Sequence, residues 1–304
     1  MDKFYIKAVL FLLNLFAYMN NNALASERSP KKKGICSLFK KASNKNIDAT
    51  SPNNISNQID EPSDPLVCTN PDEIEQVEKL MAEAIEKLQE HAIHSNDYEL
   101  YHPYDEDTNV YCKKHKHLTV QKVDTKAHNI DKYDDVVDYL FTLDNVKHYG
   151  YLDVKGQIAR EYNPNLVMIH HRYIDLLNGF KGYFYAIAGK YQISEDTTVI
   201  AITSANINDH NEHDQNFYRN HIVESANSFE TEVNSEKCIR KGLLNKMYIN
   251  LSGYIIKKKS QYIQVTSIHS MEMDTHNAPE NTDKAFTSDR IVIMVDVKLK
   301  FSRK

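Results

Sequence analysis

Residues 162–209 read YNPNLVMIHHRYIDLLNGFKGYFYAIAGKYQISEDTTVIAITSANIND. Three runs rich in β-branched and aromatic residues are separated by Asn178-Gly179 and by Ser194-Glu195-Asp196, the punctuation of antiparallel strands joined by short loops. Leu166, Val167, Met168 and Ile169 place apolar groups on both sides of one strand, and Phe184, Tyr185, Ala186 and Ile187 do the same on the next. A sheet that is apolar on both faces needs a cover on each. A helix can serve on one side, and a ligand on the other.

Toward the N-terminus, Asp2 and Lys3 precede an apolar run from Ala8 to Ala17, and Ala23-Leu24-Ala25 follows. This is the layout of a signal peptide, residues 1–25, cleaved after Ala25. Asn14 interrupts the run and Asn20-Asn21-Asn22 ends it, short of the ~20 apolar residues a membrane span needs; an uncleaved anchor is the competing reading. Residues 26–66, basic at Lys31-Lys32-Lys33 and then Ser/Asn/Pro-rich, read as a disordered linker, either a solvated spacer or a weak contact for anionic lipid. Residues 67–304 make one domain, secreted if the leader acts as read. Cys36, Cys68, Cys112 and Cys238 are too scattered for a disulfide framework or a zinc ribbon. A net charge of −5 argues against nucleic acid as a partner.

Asn70-Pro71-Asp72-Glu73 is a helix start, with Asn70 as N-cap and Glu73 placed to close a capping box. Ile74, Val77, Leu80, Met81, Ala84, Ile85, Leu88 and Ala92 then recur at helical spacing as far as His94-Ser95-Asn96. Short strands are expected over 98–101, 109–112 and 118–123. A second helix follows, capped by Asp131, with Tyr133, Val136, Val137, Leu140 and Phe141 as its buried stripe. The polar segment 211–235 suits a short helix or an ordered loop, and 242–257 with 261–269 suits a hairpin. By local propensity residues 291–299 (IVIMVDVKL) favour a strand over a helix beginning near Asp283.

No nucleophile elbow, phosphate loop or dinucleotide fingerprint is present, and no acid/base pair stands out. Asp209-His210-Asn211-Glu212-His213-Asp214 is the densest run of metal-ligand types, but its Asn and Asp residues predict a solvated loop. His115 with His117, and His170 with His171, are weaker candidates, the latter pair on opposite strand faces. No metal and no cofactor is therefore expected. Arg160, His170 and Arg172 sit in strands built for burial, where a guanidinium needs a partner. That partner is either a lipid phosphate or an internal carboxylate such as Asp153, Glu161 or Asp175. Tyr183, Tyr185, Tyr248 and Tyr254 suit either a cavity wall or an ordinary core. Asn54 and Asn250 fit the glycosylation sequon, the second inside an expected strand.

The leader MDKFYIKAVLFLLNLFAYMNNNALA and the segments CTNPDEIEQVEKLMAEAIEKLQEHA, YNPNLVMIHHRY, YFYAIAGKYQISEDTTVIAITSANINDHN, IVESANSFETEVNSE and IRKGLLNKMYINLSGYIIKK closely resemble the fam-a multigene family of rodent malaria parasites. The resemblance implies an α+β START-type, helix-grip fold, in which a curved antiparallel sheet wraps a C-terminal helix and leaves a lipid tunnel. It makes residues 283–301 that helix, against the strand favoured locally. It implies phospholipid carriage, chiefly phosphatidylcholine, without covalent chemistry, with transient membrane contact and export to the parasitophorous vacuole or host erythrocyte. No host-export pentapeptide follows the leader. On this reading Arg160, Met168, His170, Arg172, Tyr183, Tyr185, Tyr248 and Met294 are the candidate lipid-binding residues, and the loop at 206–216 or the terminal helix is the gate. An exported surface protein that keeps the fold without carrying lipid is the alternative.

Overall fold

The computed structural model describes residues 66–93, 97–142, 146–149, 152–176, 179–214, 218–273 and 282–302. The leader, nearly all of the linker, Cys36 and the Asn54 sequon lie outside them. The strands are β1 (Leu66–Val67), β2 (Glu99–Pro103), β3 (Asn109–His115), β4 (Leu118–Ala127), β5 (Val146–Tyr149), β6 (Leu152–Asn163), β7 (Leu166–Asp175), β8 (Lys181–Ser194), β9 (Thr197–Thr203), β10 (Asn206–Asn208), β11 (Glu230–Glu232), β12 (Asn245–Lys258) and β13 (Ile263–Met273). The helices are α1 (Pro71–Ile93), α2 (Tyr133–Phe141), α3 (Lys237–Arg240) and α4 (Thr282–Phe301). One large sheet runs β1-β6-β7-β8-β9-β12-β13-β4-β3-β2, with β5 beside β6, and β10 and β11 form a small parallel pair. Its neighbours are antiparallel except where β1 joins β6 and the start of β12 touches β8.

Alternation along the strands sorts the side chains onto two apolar faces. The first carries Met168, Tyr183, Tyr185, Ile187, Val199, Ala201, Leu251, Ile255 and Ile268 against Val77, Leu80, Met81, Ala84 and Leu88 of α1. The second carries Val110, Val123, Ile200, Tyr254, Ile256, Ile263 and Val265 under α2 and α4, and farther along Val167, Ile169, Phe184, Ala186, Ala188, Met247 and Ile249. Gly253 lets β12 and β9 approach closely: a Cβ there would lie 2.0 Å from the Ile200 carbonyl oxygen.

Asn70 caps α1, its side-chain oxygen accepting from the N–H groups of Asp72 (3.1 Å) and Glu73 (3.5 Å). Glu73 does not close a capping box. Its carboxylate turns to the Arg160 guanidinium (2.5 Å) and the Tyr162 hydroxyl (2.9 Å), docking the first turn on β6. The cap expected from Asp131 comes instead from Asn129, which accepts from the Asp131 N–H and starts a 3-10 turn over Ile130–Lys132 before α2. Residues 291–299 are helical, so the locally favoured strand is overturned. Ile293, Met294, Val297 and Phe301 fall on one helix face and bury against the sheet, and that packing outweighs β-branched propensity. Cys68, Cys112 and Cys238 are free thiols. Asn250 is fully buried where β12 shifts register, which keeps its sequon from glycosylation in the folded chain.

Of the segment expected at 211–235, the described residues 211–214 and 218–235 hold loop, one 3-10 turn, Glu224–Asn227, and the short strand β11. Asn220 organises it. Its side-chain oxygen accepts from the N–H groups of Ile222 and Val223, and its amide donates to the Asn250 carbonyl and the Thr203 hydroxyl. Ile207, Ile222, Val223, Ala226 and Phe229 pack with α1, so this loop lies on the first face, across the sheet from α4.

Removing one partner of a mostly buried ion pair leaves the other charge uncompensated, at a cost of about 3 kcal/mol. Glu73→Ala and Arg160→Ala are each expected to lose about that much stability in urea unfolding, and the double variant less than the sum. Strict additivity would show that the pair does not hold α1.

Candidate functional site

On the second face, β6, β7, β8, β12 and β13 build a continuous strip: Val154, Ile158, Val167, Ile169, Tyr173, Phe184, Ala186, Ala188, Met247, Ile249, Met271 and Met273. The alanines keep it shallow at its centre. Among the described residues, only Phe141 of α2 joins the strip from a helix, because α4 packs farther along, on the cluster that includes Val123 and Val265.

A polar row crosses the sheet between these two clusters. Register places Ser252 beside His269 and His269 beside Gln121. Parity puts all three on the second face, in step with Tyr254, Val265 and Val123. His269 Nδ1 pairs with the Ser252 hydroxyl at 3.1 Å, while its Nε2 has no partner among the described residues. Both amide atoms of Gln121, itself buried, are likewise unmatched. Burial, and secondarily Arg290 of α4, hold the His269 pKa well below the usual 6.5, so the ring is neutral. The Arg290 guanidinium reaches the Tyr254 hydroxyl at 3.4 Å, which brings a cation to the same row. Unmatched buried donors and acceptors cost free energy unless something pairs with them. Apolar strip and polar row together suit an amphiphile lying between sheet and terminal helix.

Most of the residues singled out from sequence lie across the sheet from this place. Met168, His170, Arg172, Tyr183 and Tyr185 are brought together, but on the first face beneath α1 and the 205–240 segment. Arg172 pairs with Glu236 at 2.5 Å and Arg160 with Glu73, so each guanidinium has an internal carboxylate, supplied by neither Asp153, Glu161 nor Asp175. His170 stacks on Tyr185 at 4.5 Å and meets the Gln157 amide at 3.0 Å. Burial first, then Arg172, depress its pKa to about 3. Tyr183 donates to Asp209 and accepts from Asn211, and Lys246 bridges Asp209 and Asp214. The run 209–214 is thus a charge-paired loop anchor, and no group of metal ligands occurs among the described residues. Tyr248 stacks on Tyr218 at 5.3 Å and lines a first-face cavity of about 440 Å³ with Asn206, Arg219, Asn227, Glu230 and Lys246. Met294 alone of the set lies on the second face, fully buried in α4. Gln121, Ser252, His269 and Arg290 escaped sequence reasoning. The available signal was polar residues at inward positions of otherwise apolar strands.

No family model and no curated protein matches the sequence. Among solved structures, human StAR-related lipid transfer protein 5 superposes with a TM-score of 0.51 at 10% identity, over 75% of this chain and 96% of that one. The chain has a START-type, helix-grip fold. Human STARD10 (TM-score 0.46, 11% identity, 71% of this chain and 79% of that one) and the human StarD13 lipid transfer and protein localization domain (0.43, 13%, 71% and 95%) are also similar to it. The START-type fold accounts for the placement of α4 on the sheet, where Ile293, Met294, Val297 and Phe301 pack.

The depressed histidines set a pH dependence. Their folded pKa values lie below 6.5, so the unfolded chain binds more protons, and stability held above pH 6.5 is lost as pH falls toward the folded values. For His170 that window runs from 6.5 to about 3. The slope is about 1.4 kcal/mol per pH unit for each such group. His269→Gln is expected to flatten the urea-unfolding profile between pH 6 and 5 relative to wild type; an unchanged slope would mean the ring is protonated in the fold.

Proposed function

We propose that this protein binds and transfers a phospholipid, with its acyl chains on the strip from Val154 to Met273 and its polar part at Gln121, Ser252, His269 and Arg290. The observation that carries the reading is the coincidence of the strip with unmatched buried polar atoms at its edge. Ten methylenes moved out of water contribute about 8 kcal/mol. A neutral hydrogen bond contributes about 1 kcal/mol. Tails therefore set affinity, while the row selects among lipids. Arg290, which reaches the Tyr254 hydroxyl at 3.4 Å, brings a guanidinium beside the row, a group that matches phosphate or ester oxygens.

The finer assignments rest on the sequence resemblance: membership of the fam-a family, phosphatidylcholine as the lipid, secretion through the leader, and export to the vacuole or host red cell. The chemistry is non-covalent: extraction from one membrane, shielding of the tails, release at another. Nucleic acid is no part of it. The gate belongs to α4, because the described part of the 206–216 loop, residues 206–214, lies on the first face, with Asp209 tied to Tyr183 and Lys246.

Native mass spectrometry of the purified protein should show co-purifying phospholipid, and a vesicle assay should show transfer of labelled phosphatidylcholine. Ala186→Trp and, separately, Ala188→Phe fill the strip from its floor. Either variant that keeps a cooperative melt should lose most of its lipid and its transfer. Full loading in both would remove the strip from the binding site. A lipid-free wild type would favour an interaction protein built on the same fold.

A further inference from the structure

The β3–β4 turn is a run of five cationic or titratable residues, Lys113-Lys114-His115-Lys116-His117, with Lys116 in the left-handed region (φ 56°). The segment Arg219-Asn220-His221 folds against it. The His117 and His221 rings are 4.7 Å apart, edge to face, and His115 Nε2 lies 3.3 Å from the His221 carbonyl oxygen. Among the described residues Lys114, Lys116 and Arg219 form no ion pair, while Lys113 is held by Asp97. Among the described residues, charged and titratable groups face the histidines from several elements. His91, Glu90 and Lys87 come from α1, Lys113 and His115 from β3, Lys116 from the turn, Glu272 (3.7 Å from His117) from β13, and Arg219 from the loop.

Strand registers put this turn at a defined end of the sheet. His115 pairs with Leu118, Met273 with Met247, and Asn245 with Gly182, so the turn, the end of β13 before α4, the start of β12 and the β7–β8 connection share that end. Leu176 and Leu243 stand there 60% and 50% exposed, and Lys181 and Lys241 are exposed beside them. A chain with net charge −5 thus concentrates unpaired cations and bare leucines where the strip beside α4 ends.

We propose that this end is the face that docks on a membrane carrying anionic phospholipid, with Lys114, Lys116 and Arg219 as fixed charges and His221, packed edge to face on His117, adding charge as the medium acidifies. It deepens the lipid-carrier reading and rests on it for its purpose. Burial and the adjoining His117 lower the His221 pKa, so that ring gains charge on the acid side of neutrality. A basic residue lying at an anionic surface raises partition about fivefold, within a screening distance of about 10 Å.

Flotation of the full chain with vesicles of phosphatidylcholine alone, or with one third phosphatidylserine, at pH 7.5 and 5.5, tests this. Expected at pH 7.5 is binding about a hundredfold stronger to the anionic vesicles, three fixed charges at about fivefold each, abolished by 1 M salt, and reduced about twenty-five-fold in Lys114→Gln/Lys116→Gln, which removes two of them. Those variants also separate this face from the lysines of residues 31–41. Expected at pH 5.5 is a rise that His221→Gln removes without altering binding at pH 7.5. Equal binding to both vesicles, full binding by the lysine variant, or an undiminished acid rise in the histidine variant would overturn the proposal. Native mass spectrometry of the same proteins separates the two readings: lipid retained without charge-dependent docking sinks this inference alone. Docking by a protein that never holds lipid sinks the carrier reading alone.

Discussion

A sheet whose strands are apolar on both faces cannot stand in water, and the rest of this molecule answers that constraint. Burial of apolar surface stabilises at roughly 25 cal/mol per Å², so both faces must be covered along their length. On the first face, among the described residues, α1 and the loops between β9 and β12 pack on the strands and carry their own charge pairs, with a cavity beside Tyr248. On the second, α2 and α4 cover one part of the sheet, and the adjoining strip is a separate apolar cluster. The proposed lipid site rests on this asymmetry between the faces.

The polar groups divide the same way. On the first face Glu73, Asp209, Asp214 and Glu236 each meet a cation, and Asn220 spends its amide on loop backbone. Such pairs fix geometry more than they add stability, since desolvation offsets much of their attraction. On the second face Gln121 and His269 keep unmatched atoms in a buried row. His170 also keeps one unmatched nitrogen, but it lies stacked on Tyr185 in the sealed core. Unmatched atoms on the first face are scattered, at His170 of β7, Tyr191 of β8, Ser270 of β13 and Ser225 of the 3-10 turn, whereas Gln121 and His269 are register partners in one row.

Much of the architecture was legible from residues. The α1 stripe, the Asn70 cap, the hairpins and the two-faced strands follow from local periodicity and punctuation. The site was not, because alternation tells which residues share a face but not which face meets which cover. The structure brings Met168, His170, Arg172, Tyr183 and Tyr185 together on one face, and parity alone cannot say that α1 takes that face. The partners of Arg160 and Arg172 lie far off in sequence, at Glu73 and Glu236, beyond any spacing argument. For residues 291–299, β-branched composition misled local reasoning. Their helical burial is decided by the sheet they press against.

The central claim, that lipid lies on the second face and not the first, is tested most directly with a phosphatidylcholine bearing a photoactivatable diazirine in its acyl chain. After loading and irradiation, peptide mapping should place the crosslinks on Val167, Ile169, Ala186, Ala188, Ile249 or Met271. Crosslinks on Met168, His170, Tyr183 or Tyr185 instead, one residue out of phase along the same strands, would contradict the account.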